Sequence, residues 1–167
     1  MVEIRRFLET DNVDDISRIY ALSWKKAYRG IIPDDYLNSL SETRWSQRLK
    51  KDSDTLFLAV EDGILIGGST YSPARDKAME GWGEIISLYL LPSHYHKGIG
   101  TELFKTVIGE LNRLGFEKIY LWVLEENHSA RAFYESKGFT FNGDINIDDI
   151  GGKTVKEIRY VFKPDLQ

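Results

Sequence analysis

The chain has 167 residues, of which 42% are hydrophobic and 13% aromatic, a composition that predicts one packed domain over residues 1–167 and excludes disorder. Its 26 Asp and Glu residues outnumber its 22 Lys and Arg residues, and the formal net charge of −4 argues against a general nucleic-acid-binding surface. The absence of cysteine excludes disulfides, thiolate metal sites and a cysteine nucleophile.

The N-terminal third is predicted to form one short strand and two helical regions. Alternation from Val2 to Arg6 favours a strand, and Asp11 is the expected N-cap of the helix that follows. Apolar residues with a period of about 3.6 mark one face of this helix: Val13, Ile16, Ile19, Tyr20, Trp24 and Ala27. Pro33 breaks the pattern before a second helical region, whose apolar residues are Tyr36, Leu37, Leu40, Trp45 and Leu49.

Three strands are predicted in the middle of the chain. Segments 55–61 and 64–71 are rich in apolar residues, and Asp62-Gly63 between them is a two-residue hairpin signal, so they should form an antiparallel pair. The third segment, 83–91, is too apolar to have one wet face. It therefore predicts a strand in the centre of a sheet, and Pro92 ends it.

Helices and strands alternate in the C-terminal half. In chain order, the predicted elements are a helix over 98–114, a strand over 118–124, a short helix over 127–137, and two strands over 139–147 and 154–162. Gly115 and Gly138 are expected to end the two helices in the left-handed conformation, and Asn127 is the N-cap of the second. Gly151-Gly152 is the predicted hairpin turn between the last two strands.

The segment from Leu88 to Thr101 combines a buried strand, a tight turn with Gly98 and Gly100, and the start of a strongly amphipathic helix. Backbone N–H groups at a helix N-terminus point outward, and glycines let a phosphate approach without a Cβ clash. The segment predicts a pyrophosphate cradle, although an ordinary strand-to-helix turn has the same residue types. It is no dinucleotide-binding fingerprint, because Leu103 stands in place of a third glycine, and it has no P-loop Gly-Lys-Ser/Thr.

A second segment, Asn127 to Phe139, follows a buried strand and opens a short helix that includes Tyr134. Ligands in open α/β sheets bind beyond the carboxyl ends of the strands, so both segments should face one crevice, into which the Tyr134 hydroxyl can donate a proton. Together the two segments resemble the GNAT superfamily of N-acetyltransferases. Residues Tyr95 to Gly100 match its Q/R-x-x-G-x-G/A loop except at Tyr95, and Asn127 to Phe139 matches N-x-x-A-x-x-F-Y-x-x-x-G-F.

The resemblance covers nearly the whole chain and implies both a fold and an activity. The implied fold class is α/β (α+β): a mixed, mostly antiparallel central sheet of about seven strands, with a splayed pair of central strands and about four helices. The implied activity is direct transfer of an acetyl group from acetyl-CoA, the cosubstrate, to a primary amine of a small molecule or peptide in a ternary complex. A function of another class, a non-catalytic acyl-CoA-binding sensor or interaction module, would use the same crevice.

The resemblance also assigns residues to the coenzyme. Leu88, Tyr89 and Leu90 on the central strand are implied to offer backbone groups to the pantetheine arm, which takes the place of a strand. The implied pyrophosphate contacts are Tyr95, His96, Lys97, Gly98, Ile99, Gly100 and Thr101. The loop binds mostly through backbone N–H groups, so Tyr95 in place of Gln or Arg should reduce side-chain contact without abolishing binding. Asn127 has two compatible roles, helix N-cap and contact to the pantetheine amide.

Two residues are candidates for proton transfer. Tyr134 is implied as the acid, because a phenol with an ordinary pKa near 10 can protonate a departing thiolate whose conjugate pKa is near 8.5. Glu84 is the candidate base, because it precedes the coenzyme contacts on the central strand, and alternation places it on the same face as Ile86 and Leu88. Each residue also has a plain structural role open to it: aromatic core packing for Tyr134 and a solvated strand edge for Glu84.

The amine acceptor is expected beside the first helical region. There, the aromatic residues Trp24, Tyr28 and Tyr36 and the acids Asp34 and Asp35 would hold a cation, although a buried tryptophan more often belongs to the core.

The remaining predictions concern metals, partners and location. The three histidines lack metal-ligand spacing, so no metal is predicted: His94, His96 and His128. Since the chain has neither a signal-peptide pattern nor an apolar run of about 18 residues, we expect a cytoplasmic protein without membrane or nucleic-acid partners. The last hairpin is either the surface of a homodimer or a sheet edge protected by Lys153, Lys156 and Arg159.

Overall fold

In the computed structural model, which describes residues 1–164, seven strands form one sheet in the order β1-β2-β3-β4-β5-β7-β6. The strands are β1 Val2–Arg6, β2 Leu56–Glu61, β3 Ile64–Pro73, β4 Gly83–Leu90, β5 Ile119–Leu124, β6 Thr140–Ile150 and β7 Lys153–Phe162. The α-helices of the described chain are α1 Val13–Ala27, α2 Asp34–Ser39, α3 Ser46–Lys51, α4 Ile99–Arg113 and α5 His128–Ser136. Among the seven strands of residues 1–164, only β4 and β5 pair in parallel. The predicted fold class is confirmed, with five helices rather than four.

Turn chemistry explains where most elements begin and end. Asp62 and Gly63 both have positive φ, 50° and 83°, as a two-residue hairpin between right-twisted strands requires. One predicted cap is wrong: Asn12, not Asp11, caps α1, because its Oδ1 accepts the Asp14 N–H at 2.9 Å. The Asp11 carboxylate instead binds the Arg5 guanidinium at 2.8 Å.

The second predicted helical region is two helices, α2 and α3, rather than one. Leu40 is extended at the end of α2, and the Thr43 N–H donates to the Ser41 Oγ at 3.2 Å. This local side-chain bond competes with helical backbone bonding and separates the two helices.

Helices cover both faces of the sheet. On one face, Leu103, Phe104 and Val107 of α4 pack on β5, and on the other, Ile16 and Tyr20 of α1 pack on β2. β4 and β5 therefore lie in the middle of a sheet that is covered on both sides. None of the helices within residues 1–164 combines the length and the hydropathy that crossing a bilayer would require.

The last two strands differ in burial. β6 is the edge strand, and Phe141, Ile145 and Ile147 on it are 45%, 50% and 64% exposed. β7 lies between β5 and β6, so Arg159 does not protect an edge: it is 5% exposed and its Nη2 donates to Asp76 at 2.6 Å. The homodimer predicted for this hairpin stays a prediction.

Candidate active site

The two parallel strands in the centre of the sheet pair only where they begin. Gly83 pairs with Ile119 and Glu84 with Tyr120, and no later residues of β4 and β5 pair with each other in the described part of the chain. Beyond this point a cavity of about 750 Å³ opens between the strands, and α1, the start of α4, and α5 complete its wall. The predicted splayed pair is therefore present, and the gap between its strands opens into a cavity that a ligand can enter.

A β-bulge on β4 lies where the two strands part. Ile85 and Ser87 pair with consecutive residues of β3, which leaves Ile86 as the extra residue. The Ser87 Oγ accepts the Thr70 N–H at 3.1 Å, and it lies 2.7 Å from the Thr70 Oγ1 and 2.9 Å from the Tyr20 Oη. Hydroxyl groups from α1 and β3 thus hold the bulge in place.

The bulge also decides which side chains share a face, and the prediction from simple alternation is wrong here. Judged by their partners on β3, Glu84, Ser87 and Tyr89 lie on one face, whereas Ile85 and Leu88 lie on the other. The extra residue shifts the period by one position, so Glu84 does not share a face with Leu88. Glu84 and Tyr89 therefore face the side covered by α1.

The turn before α4 leaves backbone donors free beside the cavity. His96 and Gly98 have positive φ, 61° and 80°, and this sharp turn lets α4 begin at Ile99. The Glu102 N–H donates to the Gly98 carbonyl at 3.2 Å, so the three N–H groups between them have no acceptor within the helix. These groups lie at the positive end of the helix dipole and suit an anion such as a diphosphate.

The side chains placed to contact an anion at this turn differ from the predicted set. Lys137, which sequence reasoning missed, donates from Nζ to the Thr101 Oγ1 at 3.0 Å and adds a positive charge at the start of α4. Its only signal in the sequence was a basic residue at the end of the second motif. Lys97 is exposed and does not line the cavity, and the Ile99 side chain is 5% exposed and packs in the core. The Ile99 backbone N–H is therefore the part available to a ligand.

Tyr95, which departs from the family pattern, connects the turn to α1. Its Oη lies 2.9 Å from the Oγ of Ser23, a residue that is 3% exposed, and both residues line the cavity. Burial raises the pKa of Tyr95, so the hydroxyl stays protonated. This contact supports the expectation that Tyr95 contributes little side-chain contact to a phosphate.

The residues assigned to the pantetheine arm lie together. Leu88, Tyr89 and Leu90 on β4 and Asn127 before α5 all line the cavity. Asn127 is the N-cap of α5, because its Oδ1 accepts the Ala130 N–H at 3.2 Å. The predicted contact of Asn127 with a ligand amide stays a prediction.

Tyr134 lines the same cavity from α5. Its ring lies 6.1 Å from that of Phe104 and 5.4 Å from that of Phe133, so aromatic packing fixes its position. Burial, with a smaller effect from Tyr89, raises the pKa of Tyr134, and the phenol therefore stays protonated. Within residues 1–164 its hydroxyl bonds to no other group. Both predicted roles, core packing and proton donation, are compatible with this arrangement.

Glu84 lies at the closed end of the strand pair and does not line the cavity. It is 2% exposed; its Oε1 accepts the Tyr120 hydroxyl at 2.6 Å and the Arg75 Nε at 3.1 Å. Burial alone would raise its pKa, but the bonds from Arg75 and Tyr120 outweigh burial, and the pKa of Glu84 lies below its ordinary value. These contacts favour a structural role, and its role as the base stays a prediction.

On the acceptor side, the structure brings only part of the predicted set to the cavity. Trp24 and Tyr28 line it, with their rings perpendicular and 4.8 Å apart, whereas Tyr36 and the two acids of α2 do not. The carboxylate that does line the cavity is Glu157 on β7, which sequence reasoning missed. Its signal was an acid at an inward position of a strand in which Val155 is buried two residues earlier.

The sequence of this chain is similar to those of known acetyltransferases. The model of the acetyltransferase (GNAT) family matches residues 14–139. The chain is 32% identical over 172 residues to the uncharacterized N-acetyltransferase YuaI of Bacillus subtilis, a match that covers 99% of this chain and 95% of that protein. It is 29% identical to a spermidine N(1)-acetyltransferase of Thermoplasma acidophilum, over 83% and 88% of the two chains.

Solved structures share the fold over nearly their full length. The PaiA N-acetyltransferase of Thermoplasma acidophilum in complex with coenzyme A superimposes with a TM-score of 0.78 at 22% identity, covering 98% of this chain and 99% of the other. YncA of Salmonella typhimurium with its cofactor acetyl-CoA gives a TM-score of 0.75 at 16% identity, covering 100% and 96%.

Proposed function

This chain belongs to the GNAT family of acetyltransferases, and we propose that it transfers an acetyl group from acetyl-CoA directly to the primary amine of a small molecule or peptide. It is an acyltransferase, and acetyl-CoA is its cosubstrate. One observation carries the proposal for this chain: the gap between β4 and β5, the free N–H groups of α4 and the Tyr134 hydroxyl all meet in a single cavity.

The residues around the cavity fit the coenzyme. The unpaired N–H groups at the start of α4, with the Lys137 ammonium beside them, would hold the pyrophosphate. The unpaired edge of β4 at Leu88, Tyr89 and Leu90 would hold the pantetheine arm as an added strand. When bound, the coenzyme supplies an activated acetyl thioester. A backbone N–H on that edge would polarise its carbonyl, an interaction worth about 3 kcal/mol in other enzymes.

We assign Tyr134 the role of proton donor to the leaving sulfur. Its phenol stays protonated and has no partner among the described residues, so it is free to bond a ligand in the cavity. Packing on Phe104 and Phe133 already fixes the ring, so positioning its hydroxyl for proton transfer costs little conformational entropy.

An amine cation is the acceptor class that the surroundings favour. The cavity wall includes Trp24 and Tyr28, and aromatic faces attract ammonium groups. A relative is named for acetylating spermidine. Polyamines therefore lead the set of acceptors to be tested, ahead of amino acids and peptide N-termini.

The test combines binding with turnover. Calorimetry with acetyl-CoA and release of free thiol with a panel of polyamines, aminoglycosides, amino acids and peptides should show binding and amine-dependent turnover. Binding without turnover for every amine would favour the non-catalytic sensor. Failure to bind acetyl-CoA at all would overturn the proposal.

A further inference from the structure

Glu157 lies on β7 and faces the open end of the gap between β4 and β5. Across the two ladders its neighbours are Leu124 on β5 and Asn146 on β6. The residue is half-buried and lines the cavity together with Trp24 and Tyr28 of α1. A carboxylate thus stands beside aromatic rings on the acceptor side.

No cation of the described chain forms an ion pair with this carboxylate. The two cations that share its face of β7 are paired elsewhere: Lys153 lies 3.5 Å from Glu126, and Arg159 lies 2.6 Å from Asp76. Glu84, by comparison, has a guanidinium and a phenol as partners. Two cations on other elements line the cavity: Arg75 is bound to Glu84, and Lys26 of α1 forms no ion pair with Glu157 among the described residues. Glu157 therefore lines this cavity without an ion-pair partner in residues 1–164.

The surroundings of Glu157 favour its protonated form. Burial and the negative charge of Asp148 on β6 raise the pKa of Glu157, and a hydrogen bond with Asn146 opposes this only in part. Burial chiefly, and the charge of Glu157 in part, raise the pKa of Tyr28 and Tyr89. Both phenols stay protonated at neutral pH, so neither competes with Glu157 as a proton acceptor there.

We propose that Glu157 receives the ammonium group of the acceptor and takes its proton, which makes the acceptor a cationic primary amine; this rests on the acetyl transfer proposed above. An ammonium in the cavity would contact a carboxylate and the aromatic faces of Trp24 and Tyr28, the surroundings that bind organic cations. A carboxyl with a raised pKa is also a stronger base than an ordinary one, and so is better matched to an amine.

The proton balance closes with groups that line the cavity. An N–H bond of the ammonium breaks, and the proton goes to a carboxylate oxygen of Glu157. The freed lone pair attacks the thioester carbonyl carbon, so a C–N bond forms and the C–S bond breaks. The leaving sulfur takes the proton of the Tyr134 hydroxyl, and the second proton lost by the nitrogen restores that phenol. Glu157 then releases its proton to solvent.

The test uses the full chain with two substitutions at one position. Glu157→Gln keeps the size of the side chain but cannot take a proton, whereas Glu157→Asp keeps a carboxylate on a shorter arm. For the best amine of the panel, we expect kcat/KM to fall about 100-fold in Glu157→Gln. In Glu157→Asp, kcat/KM should fall by at most about tenfold. Calorimetry should show unchanged acetyl-CoA binding in both. Glu117→Gln, the same substitution at an exposed acid before β5, is the control and should stay within about threefold of wild type.

A pH profile separates proton transfer from simple binding. The fraction of free amine rises toward the amine pKa, near 10.4 for a lysine-like group, so the deficit of Glu157→Gln should shrink as pH rises. A higher KM with unchanged kcat and an unchanged pH profile would overturn the proton-transfer role. So would wild-type kcat/KM in Glu157→Gln, or a Glu157→Asp variant no better than Glu157→Gln.

Two further outcomes are distinguishable. If wild type binds acetyl-CoA but releases no thiol with any amine, the proposed function fails and the role of Glu157 fails with it. If wild type and Glu157→Gln turn over equally, only the role of Glu157 fails. Should Glu157→Gln not fold, Glu157→Asp against Glu157→Asn, a pair of equal size, gives the same comparison of carboxylate with amide.

Discussion

At the start of the β4–β5 pair, Glu84 is 2% exposed and its carboxylate is bound by Arg75 and Tyr120, whereas at the open end Glu157 is half-buried and has no ion-pair partner in residues 1–164. The pKa of Glu84 is lowered by those bonds, while burial raises the pKa of Glu157. One end of the strand pair thus has an acid whose negative charge is compensated by Arg75, and the other end is lined by an acid without such a partner among the described residues. This difference in pairing favours a structural role for the first acid and the proposed proton transfer for the second.

The open end leaves other polar groups without partners as well. The Trp24 Nε1 is buried and donates to no acceptor among the described residues, and the Tyr134 hydroxyl likewise bonds to none of them. Buried polar groups without partners cost stability, so a fold retains them where a ligand completes the bonding. The closed end should therefore govern stability and the open end turnover, and four substitutions test this division.

The largest effect is expected from Tyr134→Phe at the open end. The variant retains the ring that packs on Phe104 but loses the proton donor, so kcat should fall about 10²- to 10³-fold. Thiol release measures the loss, and calorimetry should show acetyl-CoA binding within about threefold of wild type. A kcat within tenfold of wild type would remove Tyr134 from the chemistry and leave it as core.

The next effect is expected from Glu84→Gln at the closed end. The amide cannot reproduce the charged bond to Arg75; since Arg75 is half-exposed, we expect a loss of roughly 2 kcal/mol in the free energy of unfolding, less than for a fully buried pair. Urea unfolding measures this loss, and kcat should change less than tenfold. A hundredfold loss of kcat in a folded variant would instead identify Glu84 as the base predicted from the sequence.

The same substitution has a signature in pH. The pKa of Glu84 is lowered on folding, so its stabilising contribution is present above the ordinary glutamate value of 4.5 and is lost as pH falls through the lower, folded value. Glu84→Gln should therefore differ most from wild type at neutral pH, and the difference should narrow in urea titrations below pH 4.5. A constant difference across this range would contradict the assignment.

A smaller effect is expected from Ser87→Ala at the bulge between the two regions. The Thr70 N–H loses its acceptor and the Tyr20 hydroxyl loses its partner, so the free energy of unfolding should fall by about 1–2 kcal/mol. Because the bulge fixes where β4 parts from β5, acetyl-CoA affinity should fall too. Ser53→Ala, at a half-buried serine before β2 whose Oγ forms no hydrogen bond within the described residues, is the matched control.

The smallest effect has the opposite sign. The pKa of Glu157 is raised on folding, so ionised Glu157 costs stability at neutral pH, and this cost disappears as pH falls below the unfolded value. Glu157→Gln should therefore be slightly more stable than wild type at pH 7, within the roughly 0.5 kcal/mol range of a surface substitution, while it loses activity. A destabilised Glu157→Gln would show that the carboxylate belongs to the structural bonding of the closed end.

The sequence predicted the parts of the fold and site that depend on neighbouring residues. Asp62-Gly63, the α4 turn at Gly98 and the Asn127 cap follow from local chemistry and are confirmed. The face of Glu84 could not be predicted, because the bulge depends on Ser87 bonding Tyr20, which lies 67 positions away.

Glu157 was missed for a related reason. Its place beside the cavity depends on β7 pairing with β5, so that Glu157 stands next to Leu124. The alternation of β7 indicates only that this acid points inward, and not which element it faces.

The hydrogen bond between Tyr95 and Ser23 connects the coenzyme side of the cavity with its acceptor side. One residue belongs to the turn assigned to the coenzyme and the other to α1, on the acceptor side. A displacement of that turn on coenzyme loading can therefore reach α1 through this hydroxyl pair. By thermodynamic linkage, an amine that prefers the displaced helix would tighten coenzyme affinity by the same factor, and the two substrates would bind cooperatively.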